Sequence, residues 1–122
     1  MNIFGHLGHS FKNYFKFAGR SVIAEYIIMN ILWNIFYIPF YVINAHAKSV
    51  GGVANLPSST REALFIFGLL SLIIIIPNIS TGVRRAHDIG KSGWYLWIPF
   101  YSLYLLGAKS DPSENQYGEP VE

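Results

Sequence analysis

From Ala63 to Val83 the chain runs through twenty-one residues without one charged side chain, and no other feature limits its fold as strongly. A helix crossing a bilayer needs about 20 predominantly apolar residues to span a hydrocarbon core of about 30 Å. The stretch meets that length, and through Ile76 its only obviously polar side chain is Ser71. A second run of the same length, Ile23 to Ile43, is also mostly apolar. Burying both inside a soluble chain of 122 residues would be difficult, because small domains enclose little volume. The chain is 52% hydrophobic and 13% charged, against about 25% charged for an average soluble domain. These facts predict an all-α integral membrane protein forming a single domain. Three hydrophobic helices are expected, the third short and either spanning a locally thinned bilayer or re-entrant or interfacial.

Residues 1–22 form a basic leader, with Lys12, Lys16 and Arg20, no acid, and the rings of Phe11, Tyr14, Phe15 and Phe17 between the cations. Such a mixture suits an anionic membrane surface; a leader that merely sets topology reads the same way. His6 and His9 are three apart but lack a third ligand, so no metal is assigned. The first span is 23–43, with Ser21 as a candidate N-cap and Pro39 as a kink. Its polar residues Tyr26, Asn30, Asn34, Tyr37, Tyr41 and Asn44 recur at helical spacing and form one stripe, expected to face protein rather than lipid. Ala45-His46-Ala47 resembles a signal cleavage site, but the apolar run is longer than the roughly 7 to 15 residues of a signal core. It is therefore read as an uncleaved anchor.

Residues 44–62 read as an external loop rich in turn-formers. Ser59-Thr60-Arg61-Glu62 fits a capping box that would open the second span, 63–83. Pro77 lacks the N–H for the carbonyl of Ile73, and Asn78, Ser80 and Thr81 follow at once. This predicts a kink, hydrated or repaired by those side chains. Residues 84–92 read as a cytoplasmic motif loop; if the helix continues into it, Asp88 stands four residues from Arg84 and three from Lys91. Arg20 is a further cation that could reach Asp88. Glu25, His87 and Asp88 are accordingly assigned to a structural ion-pair network. His87 and Asp88 are sequence neighbours, which point about 100° apart on a helix, so they are not a catalytic dyad by themselves. The third hydrophobic segment, 93–107, would cover only about 22 Å as a helix, and Pro99 interrupts it. The tail, 108–122, is polar and expected as loop or disorder.

Arg84-Arg85-Ala86-His87-Asp88-Ile89-Gly90-Lys91-Ser92-Gly93-Trp94 resembles the signature of the DUF805 family of small bacterial inner-membrane proteins. Two shorter stretches match in the right order: Phe17-Ala18-Gly19-Arg20 with Glu25-Tyr26, and Asn115-Gln116-Tyr117-Gly118. The first departs from the family pattern, carrying Ile23 where a second Arg is usual and Ile27 where a Trp is usual. The resemblance implies a multi-pass membrane protein and no particular activity.

Lysine and arginine favour cytoplasmic loops. They number three in residues 1–22, two in 44–62 and three in 84–92, which predicts a cytoplasmic N-terminus and motif. Three full spans would put the C-terminus outside; a re-entrant third segment would return it. The function expected first is a non-enzymatic membrane or interaction protein of the bacterial cytoplasmic membrane. Its cytoplasmic face, Arg20, Arg84, Arg85 and Lys91, would engage anionic lipid headgroups or the acidic surface of another membrane protein or a second copy. The alternatives are an oligomeric transport subunit using the stripe of Tyr26, Asn30, Asn34 and Tyr37, and a membrane enzyme using His87 and Asp88. No cofactor is expected, and a net charge of +2 gives no reason to expect nucleic acid.

Overall fold

A computed structural model describes residues 2–121; Met1 and Glu122, the outermost residues of the leader and the tail, lie outside them. The chain is helical, with α1 (Ile3–Lys12), α2 (Ile23–Ser49), α3 (Ser58–Asp88) and α4 (Tyr101–Gly107), and short 3-10 turns at Val53–Asn55 and Gly93–Trp97. Among the described residues no strand forms beyond an isolated bridge between Asn115 and Gly118. Two helices, α2 and α3, are long and apolar enough to cross a membrane. Their 27 and 31 residues correspond to about 40 and 46 Å. Both run past the spans read from hydropathy. The second starts at Ser58, ahead of the capping box, and continues through Val83 to Asp88, so Arg84 to Asp88 are helical rather than loop.

Packing divides the chain into two compact units, Met1–Asn30 with Ile76–Glu122, and Ile31–Ile75. In the second unit the turn between α2 and α3 depends on Gly51 and Gly52, whose φ values of 93° and 131° exclude most side chains. The N–H of Gly52 reaches back to the carbonyl of Ala47 at 2.8 Å. Trp33 stacks on Tyr37 with centroids 4.4 Å apart. Gly68 lets the two helices approach, since a Cβ there would lie 3.0 Å from the ring of Phe40. The outer surface is apolar: Ile31, Ile35, Ile38 and Val42 are exposed on α2, as are Phe65, Leu69 and Leu72 on α3. Their steps of three and four make them continuous helical stripes.

The first unit reverses that distribution. Its interior holds Ser10, Arg20, Ser21, Glu25, Ser80, Thr81, Arg84, Arg85, His87 and Asp88, all buried, beside a small apolar cluster of Tyr26, Ala86 and Leu105. Pro77 lies inside α3 without ending it, and the hydroxyl of Ser80 caps the Pro77 carbonyl at 3.1 Å. After Asp88 the helix closes with Gly90 at φ 81° while the N–H of Lys91 bonds to the Ala86 carbonyl at 2.9 Å, a Schellman-type ending.

The segment expected as a third hydrophobic helix does not form one. Gly93–Trp97 is a 3-10 turn, and α4 has only seven residues, about 10 Å of helix. The interruption sits where Pro99 lacks an N–H and Phe100 adopts φ 66°. Gly93 packs so close to α3 that a Cβ would lie 2.7 Å from Val83 Cγ1. Through Val121 the tail, read as loop or disorder, is loop with one isolated bridge and is closely tied to the helices.

Candidate functional site

Among the described residues three arginines and two acids, all buried, make up the charged interior of the first unit. Isolated ions there would be prohibitively costly, so each must be neutralised and hydrogen-bonded. Asp88, the last residue of α3, serves two arginines: Arg20 Nε donates to Oδ1 at 2.9 Å, and Arg85 Nη1 donates to Oδ2. Arg20 also places hydrogens on the carbonyls of Asp88 (3.0 Å), Asp111 (2.5 Å), Ser113 (2.9 Å) and Gly118 (3.2 Å). Arg85 completes its set on Leu105, Ala108 and Ser110. These two guanidinium groups pin the tail against α3.

Glu25 anchors the other half. Arg84 Nη1 lies 3.4 Å from Oε1, His9 Nδ1 lies 3.0 Å from Oε2, and the hydroxyls of Ser10 and Ser21 donate at 2.6 and 3.1 Å. The directions of the hydroxyl bonds follow by elimination. Ser10 spends its one proton on Glu25, so across their 3.2 Å contact Thr81 is the donor. Thr81 in turn accepts from Arg84 Nη2 at 3.2 Å. Arg84, Thr81, Ser10 and Glu25 thus form a closed ring of bonds that fastens α1 to α2 and α3.

His87 stands apart from both carboxylates. Its Nδ1–H donates to the Gly19 carbonyl at 2.8 Å, and its ring stacks on Tyr117 with centroids 3.8 Å apart and planes 5° apart. Asn115 Nδ2 bonds to the His87 carbonyl at 3.0 Å, and the N–H of Tyr117 caps Asn115 Oδ1 at 2.8 Å. Outside the long helices, Asp111 Oδ1 accepts from the N–H and the hydroxyl of Ser113, which together hold its carboxyl below the ordinary carboxylate range.

The sequence pairing of Asp88 with Arg84 and Lys91 is not what the fold adopts. Arg84 turns to Glu25 instead, and Lys91 is exposed, with its ammonium 5.9 Å from the centre of the Tyr95 ring. Of the polar stripe, Tyr26 is buried, Asn30 is half-buried and donates to the Tyr26 carbonyl at 2.9 Å, and Asn34 and Tyr37 are half-buried; Tyr41 is exposed. Sequence reasoning passed over Ser10 and Thr81 as network members. The one available signal for Ser10 was a small hydroxyl among larger side chains on α1.

Beside this cluster lies an open cavity of about 560 Å³, walled by His6, His9, Lys16, Arg84, Tyr117 and Glu119 among others. Of these, Arg84 has a buried Nε with no hydrogen-bond partner among the described residues. Among the described residues no group of three or more His, Cys, Asp or Glu could hold a metal ion.

The three stretches that carried the family resemblance therefore meet in one place. Gly19 and Arg20, then Glu25, come from the first, Arg84 to Asp88 from the second, and Asn115, Tyr117 and Gly118 from the third. A family model described as "Protein of unknown function (DUF805)" matches residues 14–119. The chain belongs to the DUF805 family. Neither curated proteins nor solved structures gave a match. In this DUF805 chain the signature stretches supply Arg20, Glu25, Arg84, Arg85 and Asp88, the charged members of the buried cluster.

Proposed function

We propose that the chain is a small non-enzymatic protein of the bacterial cytoplasmic membrane, anchored by α2 and α3 as two spans with both termini cytoplasmic. Its first unit engages anionic lipid headgroups at that surface. Only 11% and 28% of the apolar windows of α2 and α3 are buried, whereas the core helix of a soluble protein would be mostly covered. Apolar stripes such as Ile31, Ile35, Ile38 and Val42 face outward, as lipid-facing residues do. With two spans, chain ends that share a unit share a side, and the lysine and arginine bias favours the cytoplasm.

The observation that carries the headgroup reading is the company of exposed cations and exposed rings in the first unit. Lys12, Lys16 and Lys91 are exposed. So are Phe4, Phe11, Phe15, Phe17, Trp94 and Trp97. Rings of this kind sit at the level of lipid headgroups, and each nearby cation adds about 1 kcal/mol of attraction to an anionic leaflet. The arginines take a different part: Arg20 and Arg85 are committed to Asp88 and backbone carbonyls, which positions the surface that the lysines decorate.

The test is native mass spectrometry of the protein from nanodiscs containing phosphatidylglycerol or phosphatidylcholine. A preference for phosphatidylglycerol is expected, weakening as the Debye length falls from about 10 Å at 0.1 M salt to about 3 Å at 1 M. Replacing Lys12, Lys16 and Lys91 together by Gln is expected to remove it. A preference that survives both changes would overturn the reading. Reporter fusions at either terminus test the two-span orientation separately.

A further inference from the structure

Among the described residues the buried charges of the first unit are Arg20, Arg84 and Arg85 with Glu25 and Asp88, and Asp111 adds its charge beside Arg20. The three arginines are unequally satisfied. Every guanidinium nitrogen of Arg20 and Arg85 has an acceptor, whereas Arg84 makes two long contacts, at 3.4 and 3.2 Å, and its Nε makes none. A buried donor without a partner costs about 1 to 3 kcal/mol, more when charged, and so marks a place where an acceptor is missing.

Arg84 is also one of the residues that line the open cavity. The cavity adds Lys16, His6 and His9 to Arg84 and Arg20 on the cationic side, while Val22, Ala24 and Val121 supply apolar wall. Its acids are Glu25, already bonded by Arg84, His9, Ser10 and Ser21, and Glu119, which is exposed. Its volume, about 560 Å³, falls in the range of small-molecule sites, roughly 300 to 1,000 Å³.

We propose that this cavity is a binding site for a phosphate ester, with its anionic oxygens set against Lys16 and the unmet side of Arg84 and its organic part along Val22, Ala24 and Val121. Arginine and lysine side chains are the usual means of holding phosphate oxygens. The same chemistry is offered by a phospholipid headgroup reaching in from the bilayer and by a soluble phosphate monoester. The inference rests on the headgroup reading for the first source and not for the second.

The experiment uses the full chain in phosphatidylcholine nanodiscs, titrated with sn-glycerol 3-phosphate by calorimetry. A parallel arm follows retention of phosphatidylglycerol by native mass spectrometry. The parent is compared with Lys16→Gln, whose exposed side chain leaves the ion-pair cluster intact, with Arg84→Lys, and with Lys109→Gln, which is exposed and lies outside the cavity. Saturable 1:1 binding of at least one probe is expected, with affinity reduced about tenfold by Lys16→Gln and by Arg84→Lys and unchanged by Lys109→Gln. Binding of glycerol phosphate supports a soluble ligand; retention of phosphatidylglycerol alone supports the lipid. If Lys109→Gln costs as much as Lys16→Gln, the attraction belongs to the whole surface and the cavity proposal falls while the headgroup reading stands. If neither probe saturates, the cavity proposal falls outright. Should Arg84→Lys fail to fold, the contrast between Lys16→Gln and Lys109→Gln still decides.

Discussion

Arg20 and Asp88 stand 68 positions apart in the sequence and meet at 2.9 Å, with both side chains almost fully removed from solvent. Because Asp88 also holds Arg85, neutralising it strands two buried guanidinium groups at once. Removing one partner of a buried pair costs about 3 to 5 kcal/mol. Asp88→Asn is therefore expected to lower stability in detergent by at least about 3 kcal/mol, read from thermal or denaturant unfolding. A variant that unfolds with the parent would show that the pair does not hold the fold.

The partition of the network makes a second expectation. Glu25 couples to Arg84 through a direct contact and through Ser10 and Thr81. Residues in one network show interaction energies of about 0.5 to 3 kcal/mol, and those without shared partners nearly add. A double-mutant cycle of Glu25→Gln with Arg84→Gln is expected to give a coupling above about 1 kcal/mol. The cycle of Asp88→Asn with Arg84→Gln is expected to give less. The reverse order would restore the local i to i+4 pairing suggested by the sequence.

What could be read from the sequence, and what could not, divides along the distance over which each residue acts. The apolar lengths of α2 and α3 are local properties, as are the Gly51-Gly52 reversal and the interruption at Pro99, and the sequence shows them all. That α3 runs on to Asp88 is not local, because the charges of Arg84, Arg85 and Asp88 are tolerable in a helix only when met by Glu25 and Arg20 from elsewhere. Helical spacing offered Arg84 and Lys91 as the partners of Asp88. The fold chose Arg85 and Arg20, since the loop after α1 brings Arg20 to Asp88 while Glu25 takes up Arg84. The tail reads as loop or disorder in the sequence because most of its bonds to Arg20 and Arg85 are made by its own backbone carbonyls, which carry no mark there. The family resemblance compensated in part, by pointing to three separate stretches that prove to be one cluster.

Tyr117 provides a test of how the tail is held. Its ring stacks on His87 while its N–H is bonded locally, so the side chain acts through the ring face. Aromatic pairs of this sort contribute about 0.5 to 1.5 kcal/mol beyond area burial. Tyr117→Phe is expected to behave as the parent. Tyr117→Ala is expected to lose about 1 kcal/mol and to expose residues 108–121 to limited proteolysis. Equal protection of the two variants would assign the tail to Arg20 and Arg85 alone.

Asp111 gives a pH dependence with a definite sign. Ser113 favours its ionised form in the folded state, so the carboxyl titrates below its unfolded value. The turn from Asp111 to Ser113 is then strengthened at neutral pH, and that contribution fades as pH falls through the lowered value. Ser113→Ala is expected to move the Asp111 titration upward, as followed by carboxyl carbon shifts. An unchanged midpoint would mean that the Ser113 hydroxyl does not set it and would leave the backbone N–H, which alanine keeps, as the cause.

The faces of α2 make the most direct prediction about its surroundings. Ile31 and Ile35 are 57% and 55% exposed, while Asn30 and Asn34, one residue earlier in each case, are half-buried. In water the exposed pair would be misplaced, with apolar side chains outward and amides inward; in a bilayer the arrangement follows from the cost of leaving amides unsatisfied in hydrocarbon. Single cysteines at 31 and 35 are therefore expected to react several times faster with a lipid-soluble thiol probe in liposomes than cysteines at 30 and 34. A water-soluble, membrane-impermeant probe is expected to reach none of the four. Rapid labelling of 31 and 35 by the impermeant probe would remove α2 from the bilayer and the two-span reading with it. Equal lipid-phase labelling of all four would keep the span and discard the inward-facing polar stripe.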